Sequence, residues 1–159
     1  MAIYNHCITI TENIMKLLIQ RVKQASVTVN NQVVGQINQG LLIFIGIVKG
    51  DTSSQANYLA HKVSNLRMFE DENGKMNLSV KDIGGKALVI SQFTLAGDCS
   101  RGNRPGFDNA ACPKEAETLY QYFSAQLRTE GVPVENGIFQ ADMLVNLTND
   151  GPVTFLLEK

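Results

Sequence analysis

The sequence predicts a single α/β domain, a mostly antiparallel β-sheet with two helices packed on it. Three observations carry that expectation. Apolar runs of strand length recur between turn residues, as at Leu17–Val22, Leu41–Val48 and Ala87–Ile90. Two stretches, Ser53–Phe69 and Pro113 to about Thr129, instead repeat apolar residues at helical spacing. The length of 159 residues suits one domain that buries about two-thirds of its unfolded surface, and no repeat or linker divides it.

In order along the chain, Leu17–Val22 and Ala25–Asn30 read as extended, with Asn30-Asn31 as a hairpin turn into the alternating segment Gln32–Ile37. Leu41–Val48 is apolar on both faces and reads as a central strand. In the first helix Ala56, Leu59, Ala60, Val63, Leu66 and Phe69 share a face, and Asp51 or Thr52 can cap the start. His61 falls on the opposite, outward face. Glu70-Asp71-Glu72 beside Asn73-Gly74 reads as a charged turn. A short strand at Met76–Val80 precedes the Gly84-Gly85 break, and the next strand ends in Ser91-Gln92-Phe93-Thr94-Leu95. Residues 97–112 form a polar, Gly-rich loop, the kind of segment that often carries a binding site. Pro113 opens the second helix and Gly131 lies just past its end; Ala116, Leu119, Tyr120, Phe123 and Leu127 form its buried stripe. Val132–Val134 resumes β structure, Asn136-Gly137 turns into a strand at Ile138–Leu147, and a last strand, Val153–Leu157, follows Gly151-Pro152.

Composition narrows the function. The 14 basic and 15 acidic residues leave a net charge of −1, unlike a protein that tracks a nucleic-acid backbone, so DNA is not an expected partner. Within residues 75–114, however, six basic residues face three acidic ones, a balance of +3 that suits a small contact with a nucleic-acid end and equally an ordinary solvated charge mix. The longest apolar run, Leu41–Val48, is too short to cross a bilayer, and no membrane partner is expected. Residues 1–14 lack the basic flank and apolar core of a secretion signal. Cys7, Cys99 and Cys112 have no metal-type spacing and are odd in number, which favours a reducing compartment, the cytoplasm.

Two stretches stand out chemically. Ser91-Gln92-Phe93-Thr94-Leu95 puts small polar residues where a buried strand emerges, rigid and solvent-facing at once. In Asn149-Asp150-Gly151-Pro152-Val153-Thr154, a Gly-Pro step before a strand can aim bare carbonyl oxygens at a ligand, and the sequence leaves its cis or trans state open. With Met15–Val22, Ala25–Val29, Gly102-Asn103-Arg104-Pro105-Gly106-Phe107 and Ala141-Asp142-Met143 in the same order, the chain resembles the D-aminoacyl-tRNA deacylases, which free tRNA from D-amino acids. The resemblance covers residues 15–159, leaving 1–14 as an unmatched extension expected to contribute nothing to activity.

The resemblance implies the family's fold, a homodimer, and hydrolysis of the D-aminoacyl ester at the acceptor end of tRNA, with glycyl-tRNA as a further substrate. Ser91 and Gln92 would make polar contacts, the Phe93 backbone N–H would face the ester carbonyl, and Thr94 would line the pocket or act as nucleophile. The terminal 2′-hydroxyl would assist the water. Gly151 and Pro152, reaching into the partner subunit's pocket, would exclude L side chains, a rejection built from backbone. Arg21 would hold that corner; on its own it reads either as a surface charge on an edge strand or as a buried group in need of a partner. Phe107, Phe139 and Met143 could pack around the terminal adenine or serve as ordinary core. Gly106 and Asn136 stand where the family usually has Ser and Thr.

No nucleophile elbow, zinc signature, P-loop, dinucleotide fingerprint or carboxylate pair is present, so neither cofactor nor metal is expected. A serine-hydrolase triad would need His61 as its base, against its outward position. Two rivals remain: a generic esterase using Thr94 or Ser91, and a non-catalytic binder of tRNA ends. A deacylase of relaxed chirality, with a trans Gly-Pro bond, is a third reading within the family's relatives.

Overall fold

One long strand organises the sheet. The computed structural model describes residues 14–159, so the expectation for the extension falls, except for Ile14, outside the described residues. The strand β1 (Lys16–Val29) is continuous where the sequence suggested two segments. Along one edge it pairs antiparallel first with β3 (Gly40–Gly46) and then with β2 (Gln32–Ile37). Along its other edge it pairs antiparallel with β8 (Leu144–Glu158) over nearly its whole length. Asn30 and Asn31, both at positive φ, make the turn into β2, a conformation Asn tolerates better than other non-glycine residues.

The sheet is mixed, with three antiparallel and two parallel strand pairings, so the expected antiparallel majority holds with a parallel half added. Beyond β3 lie β6 (Lys86–Ser91) and β7 (Val134–Asn136), each added parallel to its neighbour, in the order β2-β1-β3-β6-β7. Parallel neighbours need crossover connections. One is built from helix α1 (Ser53–Asn65) with the small hairpin of β4 (Phe69–Glu70) and β5 (Met76–Leu78). The other contains helix α2 (Pro113–Thr129), which begins at its proline as expected.

α1 starts at a capping box: the Thr52 hydroxyl accepts the Ser54 N–H, and the Gln55 side chain accepts the Thr52 N–H at 2.9 Å. It ends at Asn65, four residues short of the predicted end, because Leu66 turns extended. Met68 and Phe69 are buried in the same core from non-helical backbone, so apolar spacing alone could not reveal the break.

The two helices cover one face of the sheet, over a core that includes Leu17, Ile19, Ile43, Ile45, Val89, Leu59, Val63 and Phe123. The other face carries a smaller buried cluster of Val22, Val27, Leu42, Leu88 and Ile90. There the register aligns Leu156, Leu18, Phe44 and Ile90 in one row across four strands. Leu156 is 55% exposed, and Leu18 and Phe44 are only half-buried, so this face is apolar and open.

Near the C-terminus the two predicted strands are one. β8 runs from Leu144 through Gly151-Pro152 to Glu158, with its ladder to β1 broken between the pairs Gln20–Thr154 and Val22–Asn149. Residues 138–143 lie outside any strand; the Ala141 N–H closes a turn onto the Ile138 carbonyl at 3.2 Å.

Candidate active site

β6 emerges from the core at Ser91, and the next residues wind into a short 3₁₀ turn, Phe93–Ala96. The first N–H groups of such a turn have no partner within it. The Gln92 N–H still belongs to the sheet, donating to Ile45 O at 2.8 Å, but the Phe93 N–H has no acceptor among the described residues. A free main-chain donor thus stands beside two polar side chains on a rigid strand end.

These residues line a cavity of about 570 Å³. Ser91, Gln92 and Phe93 form one side, Phe139, Gln140, Ala141, Asp142 and Met143 another, and Ile47, Ile90, Ala110, Ala111, Pro113, Ala116 and Val145 close the rest. Five sequence candidates, Ser91, Gln92, Phe93, Phe139 and Met143, therefore meet in one place. Thr94 and Phe107 lie outside the lining. Phe107 instead packs on Phe93, with ring centroids 5.1 Å apart.

The wall at 137–143 is set from behind. Asn136 Nδ2 donates to Tyr120 Oη (3.0 Å) and Ser124 Oγ (2.8 Å), while its Oδ1 accepts from Arg128 at 2.8 Å. Tyr120 donates to Val89 O at 3.0 Å and packs against Phe139. Burial pushes the Tyr120 hydroxyl above its ordinary value, outweighing the Asn136 hydrogen bond. Gly137 leaves room for Met143: a Cβ there would stand 2.6 Å from the Met143 sulfur and displace it.

The cavity contains no nucleophile–histidine pair. Asp142 is its one acidic residue, and no histidine lines it. His61 sits exposed on α1, its Nδ1 3.2 Å from both Glu130 carboxylate oxygens, as its outward position in the sequence implied. The Thr94 hydroxyl accepts from the Gln92 amide, a donor that cannot take its proton. Among the described residues no group of three or more His, Cys, Asp or Glu is placed to hold a metal ion.

Arg21 answers the question the sequence left open: it is buried, only 4% exposed. Its guanidinium donates to Met68 O (2.8 Å) and Asp150 O (3.2 Å) and meets the Asp150 carboxylate at 3.1 Å. Lys23 reaches the same carboxylate at 3.3 Å. Asn149 Nδ2 bridges Arg21 O and Val153 O, and Val153 is buried in the core. Every residue flanking Gly151-Pro152 is thus tied down, while the two themselves are exposed; their peptide bond is cis.

The corner does not share the cavity of its own chain. The register puts Ser91 level with Ile45 and Leu17, but Arg21 level with Leu41 and Ala87. That is four residues along the strands, with three strand spacings between β6 and β8, a separation on the order of 20 Å.

Two cavity features escaped sequence reasoning. Gln140 lines it from a left-handed backbone (φ 62°), unusual for a residue other than glycine, and no sequence signal marked it. The alanines at 110, 111 and 116 keep the far wall shallow; they looked like loop and helix-stripe residues.

Comparison with known proteins identifies the family. The model of a family described as D-Tyr-tRNA(Tyr) deacylase matches residues 18–158. A D-aminoacyl-tRNA deacylase of Ruegeria pomeroyi (strain ATCC 700808 / DSM 15171 / DSS-3) is 59% identical over 144 residues, covering 91% of this chain and 99% of that protein. One of Geobacter sp. (strain M21) is 57% identical, covering 91% and 97%. Among solved structures, a "c-Myc DNA Unwinding Element Binding Protein" superposes with a TM-score of 0.84 at 40% identity, over 91% of this chain and 98% of its own. A structure described as "a probable eukaryotic D-amino acid tRNA deacylase" has a TM-score of 0.80 at 16% identity, over 92% and 100%, a likeness of fold alone.

Removing the buried guanidinium takes one of two cations from Asp150 and the side-chain donor from the Met68 and Asp150 carbonyls. Arg21→Met should lower unfolding free energy by about 3 kcal/mol, the low end for a broken buried pair because Lys23 still faces Asp150. Denaturant titration measures this, and a loss below about 1 kcal/mol would show that the corner stands without Arg21.

Proposed function

The chain belongs to the D-Tyr-tRNA(Tyr) deacylase family and is a hydrolase of the aminoacyl-tRNA ester bond; from that premise we propose that it removes D-amino acids, and glycine, from tRNA in the cavity at the end of β6. The observation that carries this reading is a rigid pocket with a free main-chain donor and no histidine, its one carboxylate being Asp142.

An aminoacyl ester is already activated, so holding it and stabilising the oxyanion suffices. The Phe93 N–H faces the ester carbonyl and stabilises the charge that develops as water attacks, an effect worth roughly 3–4 kcal/mol per well-placed donor. The terminal 2′-hydroxyl orients that water and relays its proton: the water oxygen bonds to the carbonyl carbon, the bond from that carbon to the ribose oxygen breaks, and the ribose oxygen leaves carrying the relayed proton. Ser91 and Gln92 hold the aminoacyl group, while Phe139 and Met143 pack against the terminal adenine. Thr94, outside the lining and bonded to an amide donor, is a neighbour and not the nucleophile.

Handedness requires a second copy. Gly151 and Pro152 lie too far from Ser91 to act within one chain, and Arg21, Asp150 and Asn149 hold them exposed. The open apolar row from Leu156 to Ile90 offers a surface for that copy, and Ile90 also lines the cavity. A homodimer closed there brings the partner's corner to the mouth of the pocket, where its carbonyl oxygens exclude an L side chain. Exclusion by backbone ignores side-chain identity, so many D-aminoacyl-tRNAs serve as substrates, and the setting for this proofreading is the cytoplasm.

Deacylation of D-Tyr-tRNA, Gly-tRNA and L-Tyr-tRNA tests the reading: the first two should be cleaved and the third spared, and equal turnover of both tyrosyl enantiomers would refute the claim of handedness. Thr94→Ala should retain activity within about tenfold, a small cost against the 10²–10⁴ typical of losing a proton-transfer group. A fall of several orders of magnitude would instead reinstate the covalent esterase.

A further inference from the structure

Two large aromatic rings stand in solvent at the mouth of the cavity. Phe93 is 58% exposed and Phe107 38%, and they pack on each other with planes tilted by 56°. Phe93 also lines the cavity, whereas Phe107 lies outside it. An exposed apolar pair beside a pocket calls for an occupant.

The loop is built to hold Phe107 there. Asp98 and Gly106 pair across its neck through two backbone hydrogen bonds of 2.7 and 2.9 Å. Gly97 makes room for the ring: a Cβ at that position would lie 3.0 Å from the Phe107 ring edge. Beyond the ring, the Ala110 N–H donates to Phe107 O and Ala110 bridges to Val48, anchoring the loop near the end of β3. The span across the neck exposes Arg101 and Arg104. Its one carboxylate, Asp98, is engaged by Ser100, whose hydrogen bonds, with Arg101 nearby, hold it below the ordinary carboxylate range.

We propose that Phe93 and Phe107 form a stacking platform for the nucleotide just upstream of the terminal adenosine, with Arg101 and Arg104 meeting the phosphates of that single-stranded end. This rests on the deacylase reading and adds a second subsite to it. The terminal nucleoside occupies the cavity, and the next base leaves along the rings. Exposed rings beside arginines suit a single strand, because every base has a π-face and every link a negative charge. The charge favours this occupant over an apolar segment of another chain. It also accounts for a protein of net charge −1 handling tRNA: stacking supplies affinity that electrostatics does not.

The test compares two small substrates of the full-length protein, D-tyrosyl-adenosine and D-tyrosyl-cytidylyl-adenosine. In the unmodified enzyme the added cytidine should improve kcat/KM about tenfold or more, mainly through KM, as one stacked base would. Phe107→Leu keeps the apolar volume without the π-face and should abolish that gain, while Phe107→Tyr should preserve it. Arg104→Gln should reduce the salt dependence of KM for the dinucleotide ester. The proposal is overturned if the cytidine brings no gain, if Phe107→Leu keeps the gain or slows both substrates equally, or if Phe107→Leu dissociates the dimer, which would make the pair a subunit contact. No turnover of either ester would reject the deacylase reading itself, and the platform with it.

Discussion

A rigid sheet holds the two halves of the site on the order of 20 Å apart. Ser91 ends β6, Gly151-Pro152 interrupts β8, and both strands are hydrogen-bonded into the same ladder through β3 and β1. No side-chain rotation closes that gap, and bending the ladder would break the core beneath it. If both halves act on one substrate, they must come from different copies of the chain. The proposed dimer and the proposed handedness of the reaction both rest on this single distance.

The same economy governs the chemistry. The pocket supplies shape, a free N–H and amide contacts, and the Asp142 carboxylate is its one titratable side chain. On the proposed reading such a site is a poor general hydrolase, because an ordinary ester brings no assistance of its own. On that reading it favours substrates that carry a hydroxyl next to the bond being cut. Burying a charge costs heavily unless it is paired, and the one buried cation among the described residues, Arg21, is spent on architecture: it pins the backbone beside the Gly-Pro step through Asp150 and Met68.

Much of this was legible in the sequence, and the misses have physical reasons. The strand ending in Ser91-Gln92 and the Gly-Pro corner could be read because each departs from the local rule for its element. Arg21 could be flagged but not assigned, since a lone charge in an apolar strand fits an edge as well as a core. The end of α1 was overrun because Leu66 and Phe69 continue the helical spacing while burying from extended backbone. Parallel pairing of β3 with β6 was invisible, as strand direction depends on the crossover and not on composition. Gln140 could not be found at all: its interest lies in a positive φ that its identity does not announce.

The central claim is that the nucleic acid supplies the catalytic group the protein lacks. Its most direct test is single-turnover deacylation of D-tyrosyl-tRNA esterified at the 3′ position, ending in either adenosine or 2′-deoxyadenosine, at saturating enzyme. Removing the 2′-hydroxyl should slow cleavage by two orders of magnitude or more, with binding little changed, as loss of a proton-transfer group does. Equal rates on the two ends would show that the protein carries its own base, and would contradict the account.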